Sequence, residues 1–219
     1  MKNLITAIGM LISTSLFSQN IEFTTGVNSN NFYNSPTAAD IGNYSSSFSS
    51  GLGYHFGVGI ENVMVDWLNL RFTLGLDSYS GDIDARWGGQ IGGNEVNAEI
   101  QKTVLSLGVY PINFKVKNTL NLNFGVEFSG LIHESMKGTK GSWGILPYTS
   151  EDLAESTSYN RKMNFGFAGR LAYDIKLSEE YALSPQYGFY LGLTDEFDEF
   201  PEDVSSYRQY FSIGIQKAL

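Results

Sequence analysis

The stretch Leu68-Asn69-Leu70-Arg71-Phe72-Thr73-Leu74-Gly75-Leu76-Asp77 alternates large apolar residues with small or polar ones without a break. A period of two places all of the apolar side chains on one face of a β-strand and the other side chains on the opposite face. The apolar face is continuous, whereas the opposite face carries two charged residues and a glycine. The stretch therefore predicts a long strand whose two faces meet different environments.

The same alternation recurs along the chain and predicts eight strands, at residues 21–27, 51–61, 67–77, 100–116, 119–132, 163–177, 181–194 and 207–219. In the fourth strand the apolar phase slips near Pro111, which predicts a β-bulge at that proline. The composition agrees, because 24 glycines, 13 tyrosines and 15 phenylalanines among 219 residues favour β-structure over helix.

The connections between these strands alternate in length. Three are short, at residues 62–66, 117–118 and 178–180, and four are long and polar, at residues 28–50, 78–99, 133–162 and 195–206. Short turns at one end and long loops at the other are typical of bacterial outer-membrane barrels. Most of the strands also reach the roughly 9–11 residues that a tilted transmembrane strand needs.

The bulk of the apolar face decides which way it points. Side chains just fill the lumen of an eight-stranded barrel, so eight faces of large apolar groups do not fit inside. Backbone groups in lipid must also be paired, which requires a closed sheet. We therefore predict an all-β fold, an eight-stranded antiparallel up-and-down transmembrane β-barrel with short periplasmic turns and long extracellular loops. A soluble periplasmic sandwich or lipocalin-like barrel is the alternative, and it would bury Leu70, Phe124 and Phe167 in a central core.

Aromatic residues near the strand ends suit the two interfacial girdles of such a barrel. Tyr54 and Tyr207 fall towards the long loops, and Trp67 and Tyr181 fall towards the short turns. Aromatic β-propensity alone explains their number but not their placement.

The first residues have the pattern of an export signal. Lys2 precedes a short apolar run at residues 4–12, and small residues lead to a predicted cut between Ser18 and Gln19. The run is too short for a spanning helix, and a buried N-terminal helix is the other interpretation. We therefore expect residues 1–18 to be a cleaved signal peptide, residues 19–219 to form the barrel domain, and the protein to reach the outer membrane of a Gram-negative cell.

Charge and cysteine content exclude several classes of function. The formal net charge is −9, with no basic stripe to contact phosphates, so nucleic-acid binding is not expected. The absence of cysteine excludes disulfides and thiolate metal sites. We expect no cofactor, a monomer, and contacts with outer-membrane lipid and lipopolysaccharide.

Several segments resemble the PorT-like outer-membrane β-barrel family of Bacteroidetes-type bacteria. They are LFSQ at 16–19, VLSLGVYP at 104–111, NTLNLNFG at 118–125, NFGFAG at 164–169, and the closing strand. The resemblance implies the barrel architecture over nearly the whole mature chain. It also implies, by analogy with a secretion-related member, a place in an envelope secretion or transport assembly. The chain ends in Leu219, where such barrels often end in an aromatic residue.

Polar residues on the predicted inward faces form the first candidate site: His55, Arg71, Glu127, Arg170, Asp174 and Gln186. Charges in a narrow lumen must be paired or solvated. A plug of ion pairs that stiffens the barrel is the main interpretation, and a path for protons or solutes is the alternative.

Two further segments carry candidate chemistry. The run His133-Glu134-Ser135 contains the residue types of a hydrolase, but successive strand residues alternate faces, so the three side chains cannot converge. The last loop is acidic, and its carboxylates are ligands that Ca²⁺ or Mg²⁺ accepts: Asp195, Glu196, Asp198, Glu199, Glu202 and Asp203. A solvated loop that meets lipopolysaccharide through shared cations is the other interpretation.

These observations favour a non-enzymatic outer-membrane barrel whose extracellular loops contact ligands or partners, in a structural or adhesive role. A component of a secretion or transport assembly, an outer-membrane lipid-modifying enzyme such as a lipid A hydrolase or acyltransferase, and a passive pore are the alternatives.

Overall fold

The computed structural model describes residues 20–34, 45–65, 68–89, 91–117, 119–144, 147–153, 162–197 and 203–218. The strands in these ranges are β1 (Asn20–Asn34), β2 (Ser45–Phe48), β3 (Gly51–Val65), β4 (Leu68–Gly88), β5 (Gly92–Val116), β6 (Leu120–Gly144), β7 (Thr149–Asp152), β8 (Met163–Tyr173), β9 (Ile175–Lys176), β10 (Tyr181–Gly192) and β11 (Val204–Ala218). No helix in the described residues is long and apolar enough to cross a membrane.

Eight strands close into an antiparallel ring in the order β1-β3-β4-β5-β6-β8-β10-β11. The ring closes because β1 pairs with β11 over its whole length, from Asn20 opposite Ala218 to Asn34 opposite Val204. The short β9 pairs with β10 beyond the end of β8. Because neighbours in the ring are also neighbours in sequence, the chain is an up-and-down barrel. The predicted fold class is confirmed.

The large apolar side chains lie on the outside of this barrel. Phe124 and Phe167 are 39% and 52% exposed, and Leu70 is partly exposed. On the inside, the glycines of β3 lie within reach of polar groups; a Cβ on Gly59, for example, would meet the Arg71 guanidinium at 2.4 Å. The soluble alternative with a central apolar core is therefore wrong.

The predicted bulge at Pro111 is confirmed, since the pairing of β5 with β6 shifts between Val109 and Ile112. A second shift, between Thr103 and Val104, was not predicted. It places Ile132 of β6 without a direct partner and leaves its side chain 59% exposed. Above this point the side chains of β6 change phase, so that Met136 points inward and is buried.

The second predicted loop, expected to be flexible or to form a hairpin, is a paired hairpin whose arms include residues 78–88 and 92–99, so the flanking strands are longer than predicted. β4 and β5 remain hydrogen-bonded from Arg71 opposite Tyr110 to Gly88 opposite Gly93. β6 likewise continues to Gly144, pairing with β5 up to that residue and with β7 at residues 139–142, and β1 continues to Asn34. The predicted strands were too short because the outward face turns polar at these points, although the backbone pairing continues.

The chemistry of the two faces inverts along β5 while the alternation keeps its phase. The end of the barrel that holds the short turns is here called the lower end, and the opposite end is called the upper end. In the lower part of β5, Leu105, Leu107 and Val109 point outward. In the upper part the outward residues are Asn97, Glu99 and Gln101, and the inward residues are Val96, Ala98 and Ile100, which are buried. A polar outer face with an apolar inner face is the arrangement of a sheet in water. The lower part has the arrangement expected in lipid.

An apolar cluster, here called the cap, lies inside the upper end of the barrel. Its buried members include Phe32, Tyr79, Ile83, Ala85, Val96, Ala98, Ile100, Val104, Met136, Leu153, Phe197 and Val204. They come from β1, β4, β5, β6 and β11 and from the segments beside β7 and β10. The cap packs the upper part of the sheet, with its polar outer face, onto the lower part, with its apolar outer face.

Candidate functional site

The lumen below the cap is filled by three layers of polar side chains. The lower layer centres on Asp174, between β8 and β9. Its carboxylate accepts hydrogen bonds from the Ser184 hydroxyl at 2.8 Å, from the Gln216 amide at 3.0 Å and from the Asn121 amide. The Lys115 ammonium lies 4.0 Å away. This layer occupies the lumen at the end of the short turns.

The middle layer centres on Glu22 of β1. The Arg170 guanidinium donates to both of its carboxylate oxygens, at 2.7 and 2.8 Å, and the Arg71 guanidinium donates to one of them. Gln216 donates at 3.2 Å and Gln186 at 3.4 Å. One buried carboxylate thus faces two buried guanidinium groups.

The upper layer joins His55, Asp77, Glu127 and Arg208. Arg208 donates to Glu127 at 2.9 Å and lies 3.4 Å from an Asp77 oxygen. The other Asp77 oxygen lies 2.7 Å from Nδ1 of His55. The imidazole is stacked on the Tyr210 ring with the centroids 4.9 Å apart. Two carboxylates, one guanidinium and one imidazole therefore share a layer in which every acid has a partner.

A further buried ion pair closes the cap. The Lys102 ammonium donates to the Glu196 carboxylate at 2.8 Å and lies over the Phe197 ring, 4.6 Å from its centroid. The Ser206 hydroxyl also donates to Glu196. Burial alone raises the pKa of the Glu196 carboxyl, but the Lys102 charge and these hydrogen bonds outweigh it and hold the pKa below its usual value. The pair fixes the segment after β10 across the end of the lumen.

The predicted lumen residues divide among these layers. Asp174 lies in the lower layer; Arg71, Arg170 and Gln186 lie in the middle layer; His55 and Glu127 lie in the upper layer. The structure brings them together through residues that the sequence reasoning did not select, namely Glu22, Asp77, Arg208 and Gln216. For Glu22 the signal was present, since it stands between Ile21 and Phe23 on its strand.

The run at residues 133–135 does not converge. His133 is exposed opposite Thr103, and Glu134 lies opposite Lys102, whose side chain points into the cap. Ser135 pairs with Gln101 on the same side as His133. The alternation of faces thus separates the acid from the other two side chains, as the sequence reasoning required.

The acidic loop is divided between inside and outside. Glu196 is buried in the cap, and the Asp195 carboxylate accepts hydrogen bonds from the backbone N–H groups of Phe197 and Val204. Asp203 is exposed, and Asp198, Glu199 and Glu202 lie outside the described residues, as do Trp67 and the predicted signal peptide. Among the residues that are described, no group of three or more His, Asp or Glu side chains is placed to hold a metal ion.

The upper part of the barrel is a five-stranded sheet in the order β2-β4-β5-β6-β7. On its outer face the Arg86 guanidinium donates to Glu95 at 2.6 Å, and the Tyr148 hydroxyl donates to the same carboxylate at 2.6 Å. These hydrogen bonds, first the one from Tyr148 and then the one from Arg86, lower the pKa of Glu95. They tie the strands at the tip of the sheet to one another.

No protein-family model matches the chain, and no curated protein sequence is significantly similar to it. Among solved structures it is similar to the outer membrane protein OprG from Pseudomonas aeruginosa, with 12% identity and a TM-score of 0.46 over 92% of this chain and 97% of that one. It is also similar to Neisserial surface protein A (NspA), with 10% identity and a TM-score of 0.42 over 91% and 97%. A third similar structure is that of Ail, the attachment invasion locus protein of Yersinia pestis, with 8% identity and a TM-score of 0.42 over 91% of this chain and 99% of that one. At these values no function is transferred from those proteins to this chain.

Proposed function

We propose that this protein is an outer-membrane barrel that conducts no solutes and displays its extracellular sheet as a contact surface for ligands or partners. The observation that carries the proposal is the inversion of face polarity along β4, β5 and β6. Below it, apolar side chains point outward, and above it charged and polar ones do. The inversion marks the level at which a lipid surface would end and the extracellular part would begin.

The filled lumen supports the part of the proposal that excludes transport. Three layers of buried polar side chains and an apolar cap lie in series along the axis. An open channel in a barrel of this kind requires many more than eight strands. The strands β4, β5 and β6 are 21 to 25 residues long, about twice the roughly 9–11 residues that a strand needs to cross a membrane. The contact surface therefore lies there.

Catalysis forms no part of the proposal, since the separation of Glu134 from His133 and Ser135 leaves that run without a triad. We propose that the partners in the membrane are lipid and lipopolysaccharide, that the barrel is a monomer, and that export depends on the signal at residues 1–18. A PorT-like role in a secretion assembly would appear as stable copurification of envelope proteins from detergent.

The experiment uses single cysteines, because the chain has none of its own. Asp84→Cys places a thiol on the outer face of β4 in the extracellular sheet, and Glu179→Cys places one in the short turn before β10. In intact cells a membrane-impermeant maleimide should label Asp84→Cys and leave Glu179→Cys unlabelled. In permeabilised cells it should label both.

Labelling of Glu179→Cys in intact cells would contradict the proposed orientation. Recovery of both variants in the soluble periplasmic fraction, with no heat-dependent shift in gel mobility, would contradict the membrane location itself. Wild-type protein without a thiol is the control for non-specific labelling.

A further inference from the structure

We infer that a recess on the inner face of the extracellular sheet is a binding site for a neutral carbohydrate. The inference rests on the proposed function, because it needs this sheet to be displayed outside the cell. The barrel architecture alone does not indicate which class of ligand binds, whereas the side chains of the recess do.

A row of four side chains across four strands forms one wall of the recess. Trp87 of β4 lies opposite Asn94 of β5, Asn94 lies opposite Ser142 of β6, and Ser142 lies opposite Thr149 of β7. Directly opposed residues in antiparallel strands point to the same face. The row therefore presents an indole, an amide and two hydroxyl groups side by side. The Ser142 and Thr149 hydroxyl oxygens are 2.7 Å apart.

The next row towards the cap forms the floor. Val96 lies opposite Lys140, and Lys140 lies opposite Glu151. The Lys140 ammonium and the Glu151 carboxylate are 2.9 Å apart. Together with Glu95, Gly141 and Ser150, the two rows border a space of about 540 Å³. This volume is within the range of roughly 300–1,000 Å³ for small-molecule sites and corresponds to a few sugar rings.

The chemistry of these side chains matches that of a sugar. A pyranose has an apolar C–H face that packs against an aromatic ring and a rim of hydroxyl groups that both donate and accept hydrogen bonds. The indole of Trp87, which is half-buried and packs against the cap, provides the aromatic ring. The hydroxyl groups of Ser142 and Thr149 and the amide of Asn94 each donate and accept. Within the described part of the chain, the Asn94 side chain makes no hydrogen bond that would occupy it.

The charges in the recess argue against other small ligands. Lys140 is paired with Glu151, so the cation next to the recess is already neutralised and does not favour a phosphate. An extended apolar ligand would find few apolar partners on these two rows, namely Trp87 and the buried Ala85 and Val96. A polyhydroxylated neutral ligand is the class that uses the aromatic, hydroxyl and amide groups together.

The opposite face of the same strands offers matched control positions. Trp143 lies opposite Gly93, and its ring passes over that glycine, where a Cβ would meet it at 2.9 Å. Thr139 lies opposite Asn97 and Asp152 and is exposed on the outer face. Trp143→Phe and Thr139→Val therefore change the same residue types as site substitutions, in the same sheet, without altering the recess.

The test measures binding of full-length protein in lipid nanodiscs to an array of neutral and acidic glycans, followed by titration of the best neutral glycan. We expect saturable binding of at least one neutral oligosaccharide. Trp87→Ala and Thr149→Val should weaken it by about tenfold or more, the size expected for loss of an aromatic anchor or a hydrogen-bonding partner. Trp143→Phe and Thr139→Val should bind as the wild type does.

Absence of binding to every glycan on the array would overturn the inference, and so would equal effects of site and control substitutions. Preference for the acidic glycans, weakened by Lys140→Gln but not by Trp87→Ala, would also overturn it. Maleimide labelling of Asp84→Cys in intact cells separates this outcome from failure of the proposed function. A labelled, displayed sheet that binds no sugar contradicts the carbohydrate site alone.

Discussion

At the scale of single residues, Glu22 is the most constrained acid in the barrel. It is 1% exposed and accepts hydrogen bonds from two arginines and two glutamines. The partners come from β4, β8, β10 and β11, so this one carboxylate connects elements on several sides of the ring. Taking charges out of water is costly, and the layer is stable only while the opposite charges remain together.

Glu22→Gln should lower the free energy of unfolding by about 3–5 kcal/mol, because Arg71 and Arg170 would be left buried without their counter-charge. Urea unfolding in detergent, followed by tryptophan fluorescence, measures the change. Glu151→Gln is the control, since its pair with Lys140 is exposed and should contribute less than about 1 kcal/mol. Equal effects of the two substitutions would show that the middle layer is solvated.

Glu196 makes the cap sensitive to acid. The pKa of its carboxyl is held below the usual value of 4.5, so its ion pair with Lys102 stabilises the fold above that value and is lost as the pH falls through the lowered pKa. Glu196→Gln should therefore lower the thermal unfolding midpoint at about pH 7, and the gap from wild type should shrink towards about pH 3. Thermal scans in detergent between about pH 3 and about pH 7 measure this difference in unfolding midpoint. A difference that stays constant over this range would contradict the ion pair.

At the scale of elements, the alternation predicted the part of each strand whose outer face is apolar and failed above it. The predicted strands ended at Asp77 and began at Ile100, where apolar side chains leave the outer face. Because the strands were predicted from a stripe of apolar residues on the outer face, segments whose outer face is polar were predicted to be loops. The inner face carried the opposite signal, since Ile83, Ala85 and Val96 continue the same period and are buried in the cap.

Two substitutions on the outer face of β5 test this inversion. Leu107→Lys, near the middle of the apolar belt, should lower the free energy of unfolding by about 2–4 kcal/mol, because the ammonium would have to be desolvated in lipid. Gln101→Lys, on the same face but above the belt, should change it little. Refolding into lipid vesicles, with heat-dependent gel mobility as the readout, measures both. Similar losses at the two positions would place Gln101 inside the membrane.

At the scale of the whole molecule, closure and topology could be predicted, whereas the contents of the lumen could be predicted only in part. A period of two gives the face of each residue but not its height along the barrel axis. The sequence therefore grouped His55 with Arg170, which the structure places in different layers. The pair of Lys102 with Glu196 joins positions 94 residues apart, and only the register of the closed ring brings them together.

The layers in series lead to a prediction for conductance. Wild-type protein in planar lipid bilayers should show no discrete current steps, because three polar layers and the cap fill the lumen of a narrow barrel. Phe197→Ala should also stay closed, since it opens only the cap and leaves the layers around Glu22 and Asp77 in place. A wide porin reconstituted in the same way is the control for insertion. Steady current steps from Phe197→Ala alone would mean that the cap is the only barrier, and the layers below it would then have to be hydrated paths between the two sides of the membrane.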